Sequence, residues 1–467
     1  MAQRLARFLF STYLLFVASM IIVPMRVQSL DINVECQPPE IHHKTIIRQT
    51  SDSLNIRLEQ LWNLTFSQSD YDIGYAIVEC SYGGYAIVGS TQQQTSSRSD
   101  IWLLRIDSAG NLIWHKQFGG RVDDAGYDLV ECPDGGFILV GYRDVPTSSF
   151  DDFSFIFVVR TDAFGNQLWN RTYNSIIEYG LTSARGYSII ACQLGGFAIL
   201  GGSDPGWAIH ATWLLRINDS GQVLWVKEFP IAVTSVQKAL VECQSGGFAF
   251  IGQTARFVDS DIQLFRVDVY GEMIWNRTFG GVGDYRSGSL VECSDGGFAF
   301  TGSIQELGTL DWDIWLVRTD FLGILRWNRS YGSLNYERGY ELIQTSARGF
   351  AFTGFLADQY GAFDVKLLMT SSSGNVLVNF TFGNLYDQRG FSIVESQTHG
   401  IAILGTTNDV DNAWKVLLIR IPSDENKILL NRLTWIGLVM VLPFIISICI
   451  VWLTIRFLKL SRKKRVP

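Results

Sequence analysis

One pattern returns seven times along this chain, and that repetition limits what it can fold into more than any other feature. The repeat begins at Trp62 (WNLTF), Trp114 (WHKQF), Trp169 (WNRTY), Trp225 (WVKEF), Trp275 (WNRTF), Trp327 (WNRSY) and Val378 (VNFTF), at intervals of 52, 55, 56, 50, 52 and 51 residues. A unit of that length cannot bury its own apolar face, so copies must stack on one another. Within the copy that starts at Trp275, Gly288 to Cys293 is apolar, Ser294-Asp295-Gly296-Gly297 is a turn, and Phe298 to Ser303 is a second apolar run. Asp313 to Thr319 and Ile324 to Tyr331 follow, separated by the turn Asp320-Phe-Leu-Gly323. β-branched and aromatic residues, punctuated by glycine turns every 8 to 12 residues, predict four short antiparallel strands per copy. No sustained helical stripe interrupts them between 62 and 421.

Four strands per repeat and seven repeats predict an all-β, seven-bladed β-propeller with four-stranded blades. The seventh copy lacks its fourth strand, while a strand of that type, Leu61 to Phe66, stands alone ahead of the first complete copy. Pairing of that N-terminal strand with Lys415 to Ile421 is expected to close the ring.

The repeat pattern W-N-x-T-F-G-G, then D-G-G-F-A-x-x-G, then D-I-W-L-x-R-x-D-x-x-G resembles that of uncharacterised cell-surface propeller proteins of archaea and bacteria. Part of it, x-R-x-D-x-x-G-x-x-x-W, is similar to the structural tryptophan motif of quinoprotein dehydrogenase propellers. The resemblance implies the fold and hardly touches activity. Those dehydrogenases usually carry eight blades and an adjacent-cysteine disulfide under their cofactor; this chain has seven copies and no Cys-Cys pair, so no cofactor is expected.

The flanks are read as targeting segments. Arg4 and Arg7 precede an uncharged run of 18 residues from Phe8 to Met25, and Val27-Gln28-Ser29 offers small residues to a signal peptidase. Residues 1–29 are therefore expected to be a signal peptide, with an N-terminal membrane helix as the alternative. Residues 30–60 form an N-terminal extension, 61–422 the propeller and 423–432 a juxtamembrane linker. From Leu433 to Ile455, 23 residues carry no charge, long enough for a transmembrane helix. The tail 456–467 adds six basic residues and no acid, which places it in the cytoplasm and the propeller outside. A single-pass cell-membrane protein is expected.

The 467 residues are 47% hydrophobic and 18% charged, too apolar for a disordered chain. Seven cysteines exclude a small disulfide scaffold, and five histidines leave little for a histidine-rich metal enzyme. Between 30 and 432 there are 29 basic and 45 acidic residues, so the exterior part should repel nucleic acid.

Stacking the copies separates architecture from candidate chemistry. The tryptophan column (62, 114, 169, 225, 275, 327) is expected to pack between blades. Cys80, Cys132, Cys192, Cys243 and Cys293 interchange with Thr345 and Ser396, as small side chains do; no metal-ligand spacing is present. Asp107, Asp162, Asp268 and Asp320 begin x-D-x-x-G turns and should cap them. Glu79, Glu131, Glu242, Glu292 and Glu395 form an acidic column, broken by Ala191 and Gln344. Gathered near one mouth of the channel, these carboxylates would favour a cation or cationic ligand. The structural alternative pairs them with Arg105, Arg160, Arg216, Arg266, Arg318 and Arg420. Sequons at Asn63, Asn170, Asn218, Asn276, Asn328 and Asn379 are possible glycan acceptors, Asn218 the best placed.

No H-E-x-x-H, G-x-S-x-G, phosphate loop or G-x-G-x-x-G occurs. The expectation is a non-enzymatic binding or adhesion module for an extracellular protein or glycan. It would use the variable loops Thr91 to Ser99, Tyr142 to Asp152, Ser203 to His210 and Ile304 to Leu310. The alternative is an external hydrolase or lyase acting on glycans, with its site at the propeller mouth.

Overall fold

The computed structural model describes residues 32–33, 46–49 and 62–422, except 93–97, 146–152, 174–182, 204–211, 232–237, 255–259, 307, 310, 333–335, 358–360 and 385. Its sheets form a closed, all-β, seven-bladed propeller of four-stranded antiparallel blades. The first blade runs Asp72–Glu79, Tyr85–Gln92, Ser99–Ile106 and Leu112–Phe118 from the axis outward, and the next five repeat that order. In the seventh, Gln388–Glu395, Ile401–Asn408 and Trp414–Ile421 are completed by Trp62–Phe66. The register pairs Trp62 with Arg420 and Phe66 with Val416, so the ends of the ring are fastened within one sheet, as the repeat count requires. The sixth blade, beginning at Glu337, gains two more strands on its outer edge, Ile46–Gln49 and Ile32–Asn33, which cover unpaired backbone groups there.

The flanking segments 1–29, 423–432, 433–455 and 456–467 lie outside the described residues. Among the described residues no helix is long and apolar enough to cross a membrane.

Side chains on both faces of each sheet pack against the neighbouring blades. The tryptophan column does what its repetition suggests. Trp114, Trp225, Trp275 and Trp327 each meet a phenylalanine of the next blade edge-on, at centroid separations of 5.9 to 6.0 Å. The same rings lie under the turn glycine of that next blade: a Cβ on Gly165 would come within 2.7 Å of Trp114, and Gly165 has φ 76°. The W-N and D-x-x-G motifs are thus two halves of one inter-blade contact.

The F-G-G and D-I-W motifs are coupled in the same way. A Cβ on Gly119, Gly280, Gly332 or Gly383 would overlap the carboxylate of Asp100, Asp261, Asp313 or Asp364, which opens the third strand of the same blade. Where Pro230 replaces that glycine in the third blade, the sequence has Ala211 in place of the aspartate, and the neighbouring Thr212 hydroxyl donates to Ile231 O at 2.8 Å.

All five described cysteines are buried and free. Burial pushes the Cys80 thiol up to about 12, with Arg105 opposing, so these are inert packing groups rather than nucleophiles.

Candidate functional site

Strand direction gives the ring two different ends. The first and third strands of every blade run from one face to the other, and the second and fourth return. Tight turns between strands one and two, and three and four, therefore share one face, here the turn face. The variable connections and the crossings between blades share the other, the loop face. The described portions of the four variable loops open on the loop face; 93–97, 146–152, 204–210, 307 and 310 lie outside the described residues.

The acidic column belongs to the turn face and staples the ring. Glu131 Oε2 accepts the Ser81 N–H at 2.7 Å, and Glu242, Glu292, Glu395 and Glu79 accept the equivalent N–H of Gln193, Gln244, Ser346 and Gln397. Gln344 does the same for Ser294. In each case the acceptor reaches back to the turn of the preceding blade. The one break confirms the chemistry: that turn in the second blade carries Pro133, which has no N–H, and the third blade then has Ala191 instead of glutamate. Burial raises Glu292 above its ordinary value, with the Gln244 N–H opposing.

The arginines proposed as partners of these glutamates are otherwise engaged. Arg105, Arg216 and Arg266 donate to backbone carbonyls at their own blade's turn, while Arg160 and Arg318 pair with Asp134 and Asp295. Arg420 donates to Ser108 O at 2.8 Å, tying the seventh blade to the first. The aspartate column caps its own turns as expected; Asp162 Oδ1, for example, accepts from Phe164 N and Asn166 N at 2.9 and 2.8 Å.

Of the sequon residues, Asn63, Asn170, Asn276 and Asn328 sit on outermost strands, and Asn379 on the fourth strand of the sixth blade, which Ile46–Gln49 flanks. Asn218 instead fills the turn position that aspartate takes elsewhere. Its Oδ1 accepts from Ser220 N and Gln222 N at 3.1 and 2.9 Å, a turn-capping role that its sequon alone did not reveal.

The features that break the seven-fold pattern lie in and above the channel. A bulge in the inner strand presents Tyr75, Tyr127, Tyr187, Tyr340 and Phe391 at one level. Their rings form a continuous belt from the sixth blade through the seventh to the third, with centroids 5.1 to 6.0 Å apart. Lys238 and Gly288 occupy this level in the fourth and fifth blades.

One residue further along each inner strand, a second staple satisfies the N–H groups released by the bulge. Ser289 and Ser392 accept from Leu342 N and Ile77 N at 2.8 and 3.2 Å. In two blades the serine is replaced by an acid: Asp128 Oδ2 accepts Ile189 N at 2.9 Å, and Glu341 Oε2 accepts Ile393 N at 3.1 Å. Lys238 answers both. Its ammonium lies 3.0 Å from Glu341 and 3.4 Å from Ile77 O, so a side chain of the fourth blade spans the axis to the sixth and first. Burial disfavours the charged amine, but Glu341 and Asp128 overcome this and hold it above its ordinary value. Burial likewise pushes Asp128 up to about 6, with Lys238 and the Ile189 N–H opposing. A charge cluster therefore spans the channel at this level.

Asp128 has a pH consequence. Its folded value lies above the unfolded one, so its contribution to stability is fully present below pH about 4 and is lost as pH rises through about 6. The melting temperature of the wild type minus that of Asp128→Asn is expected to decline between pH 4 and 6.5; a difference that stays flat would contradict this assignment.

Toward the loop face, two residues before the belt, inner strands of the third, fifth, sixth and seventh blades carry Arg185, Arg286, Arg338 and Arg389. Each guanidinium lies over an aromatic ring: Arg185 on Tyr142 at 4.3 Å, Arg286 on Trp312 at 4.1 Å, Arg338 on Tyr340 at 5.0 Å and Arg389 on Phe363 at 4.5 Å. The rings under Arg286, Arg338 and Arg389 belong to one aromatic cluster: Trp312 meets Tyr336 at 6.2 Å, Tyr336 meets Phe355 and Phe363 at 5.7 and 6.4 Å, and Phe355 meets Tyr340 at 5.6 Å. Arg286 and Arg389 have weak carboxylate neighbours, Asp284 at 3.9 Å and Asp387 at 3.8 Å. No acid among the described residues forms an ion pair with Arg338. Planar cations stacked on rings, with outward donors, make a mouth suited to carboxylate, sulfate or phosphate groups.

A separate cleft follows the closure seam, lined by Phe66, Trp102, Leu104, His115 and Lys415 among others. Trp102 Nε1 donates to His115 Nδ1 at 3.3 Å, and Lys415 pairs with Asp409 at 2.7 Å, so the indole and the ammonium are already matched.

The sheet topology places the chain among β-propeller proteins. A puromycin hydrolase has a TM-score of 0.49 at 14% identity over 74% of this chain, which spans 51% of that longer protein. A protein of unknown function from Dyadobacter fermentans gives 0.46 at 9% identity, covering 81% of this chain and 99% of its own. The β-propeller domain of the Trilobed protease from Pyrococcus furiosus gives 0.42 at 11% identity, covering 76% and 94%. Likenesses this distant carry no argument about activity. No family profile matches the chain, and no curated protein matches its sequence.

Proposed function

We propose that this protein is a membrane-anchored, cell-surface binding propeller whose ligand docks through an anionic group at the loop-face mouth, an acidic glycan being the class that suits it. The observation that carries this reading is the stacking of Arg286, Arg338 and Arg389, from three consecutive blades, on one aromatic cluster of Trp312, Tyr336, Phe355, Phe363 and Tyr340. An inner-strand arginine is not needed to build a blade, since the first and second blades have Ile73 and Ala125 at that position. The arginines supply bidentate donors, and the aromatic rings they stack on hold the guanidinium planes in place. External placement rests on the uncharged 433–455 run and the basic tail that follows it.

The test is a panel of sialylated, uronic, sulfated and neutral glycans presented to the full chain in nanodiscs. Saturable binding of acidic members, weakened by salt, is expected. Equal binding of neutral members would overturn the anionic reading. Release of new reducing ends would replace it with the hydrolase or lyase reading.

A further inference from the structure

The turn face carries a second, chemically different surface. At the start of the fourth strand, the first, second and fourth blades expose Ile113, Leu168 and Ile274, the third and sixth carry leucine at the equivalent position, and the fifth has Arg326 there, paired with Asp295 at 2.7 Å. Beside them the tips of three turns are aromatic: Phe164, Tyr270 and Phe321. These six side chains are 55 to 72% exposed, although the strand position faces solvent and would accept any polar residue. Recurrence on one rim makes this an apolar surface rather than scattered exposure.

The course of the chain says what covers it. The third strand of the seventh blade, Trp414–Ile421, ends on the turn face, and the closing strand Trp62–Phe66 starts there. The uncharged run begins at Leu433, and the intervening residues 423–432 reach at most about 35 Å. A bilayer holding 433–455 is therefore always within reach of this face. The charges nearby are compatible with that neighbour. Asp107, Asp162, Asp268 and Asp320 turn inward to cap their own turns. Lys116 and Lys227, further up the outer strands, are matched locally, Lys116 by Asn166 at 3.2 Å and Lys227 by Glu272 at 2.6 Å.

We infer that the turn face is a lipid-docking surface: the aromatic turns and aliphatic rim seat in the interfacial zone of the membrane. The propeller then stands with its arginine mouth directed away from the cell. The inference rests on the anchor in the proposed function, and its test separates the two.

The full chain is placed in phosphatidylcholine nanodiscs containing a diazirine-bearing phosphatidylcholine, irradiated, and mapped by peptide mass spectrometry. Cross-links are expected in 433–455 and in the peptides spanning 107–113, 162–168, 268–274 and 320–325. Phe164→Ser, Tyr270→Ser and Phe321→Ser together should cut the turn cross-links at least fivefold and leave those in 433–455 unchanged. Label in 433–455, with turn peptides no more labelled than loop-face peptides, would overturn docking and leave the anchor standing. Label in the turns without label in 433–455 would support docking and remove the anchor; label in neither would overturn both. A glycan found on Asn218, which shares this face, would also contradict the docked orientation.

Discussion

Replacing Lys238 by methionine is expected to destabilise the propeller by about 3–5 kcal/mol, the usual result of leaving buried charges without their partner. The substitution keeps most of the side-chain volume and removes the one cation that faces both Asp128 and Glu341. Both acids also accept backbone N–H bonds from the next blade, so neither can swing out to water without breaking an inter-blade staple. For a chain of this size the loss should appear as a drop in melting temperature on the order of 5–10 °C. Adding Glu341→Gln should recover part of the drop, because an amide oxygen can still accept the Ile393 N–H while the uncompensated charge is gone. A Lys238→Met protein that melts with the wild type would show that the charge cluster contributes nothing.

The second large effect concerns closure. Beginning the chain after Phe66 removes the whole outer strand of the seventh blade, with its five paired residues from Trp62 to Phe66. The loss exposes the edge of Trp414–Ile421 and uncovers Leu418 and Val416, which pack in the core shared by the first and seventh blades. Side-chain staples at that seam remain, among them Gln397 N to Glu79 and Arg420 to Ser108. They are few beside a strand, so the truncated chain is expected to lose its single cooperative thermal transition. A transition unchanged from the longer chain would refute closure by this strand.

Much of the fold could be read from the residues because repetition makes each structural role visible several times. The solitary strand at Trp62, the tryptophan column and the turn-capping aspartates all fell where the repeat implied. The acidic column was harder. Its partner is a backbone N–H of the preceding blade, which has no letter of its own; only the paired exception of Pro133 and Ala191 carries a trace of it. The channel residues were missed for the opposite reason. Lys238 occurs once, outside any motif, and its meeting with Glu341 and Asp128 joins three inner strands that are adjacent only through the ring. The four arginines occupy a column that other blades fill with Ile73 and Ala125, so no consensus marks them. Position on the loop face became readable only when strand direction was known.

The most direct test of the central claim, that one face binds and the other holds the ring together, is a crossed comparison in the full chain. Arg286→Gln with Arg338→Gln and, separately, Glu131→Gln with Glu292→Gln are measured for acidic-glycan affinity and for melting temperature. The arginine pair is expected to lose at least tenfold in affinity and to melt within about 2 °C of wild type, as half-exposed substitutions usually do. The glutamate pair should keep its affinity and melt earlier, since each amide retains a weaker, uncharged staple. Loss of affinity in the glutamate pair, with the arginine pair binding as wild type, would contradict that claim.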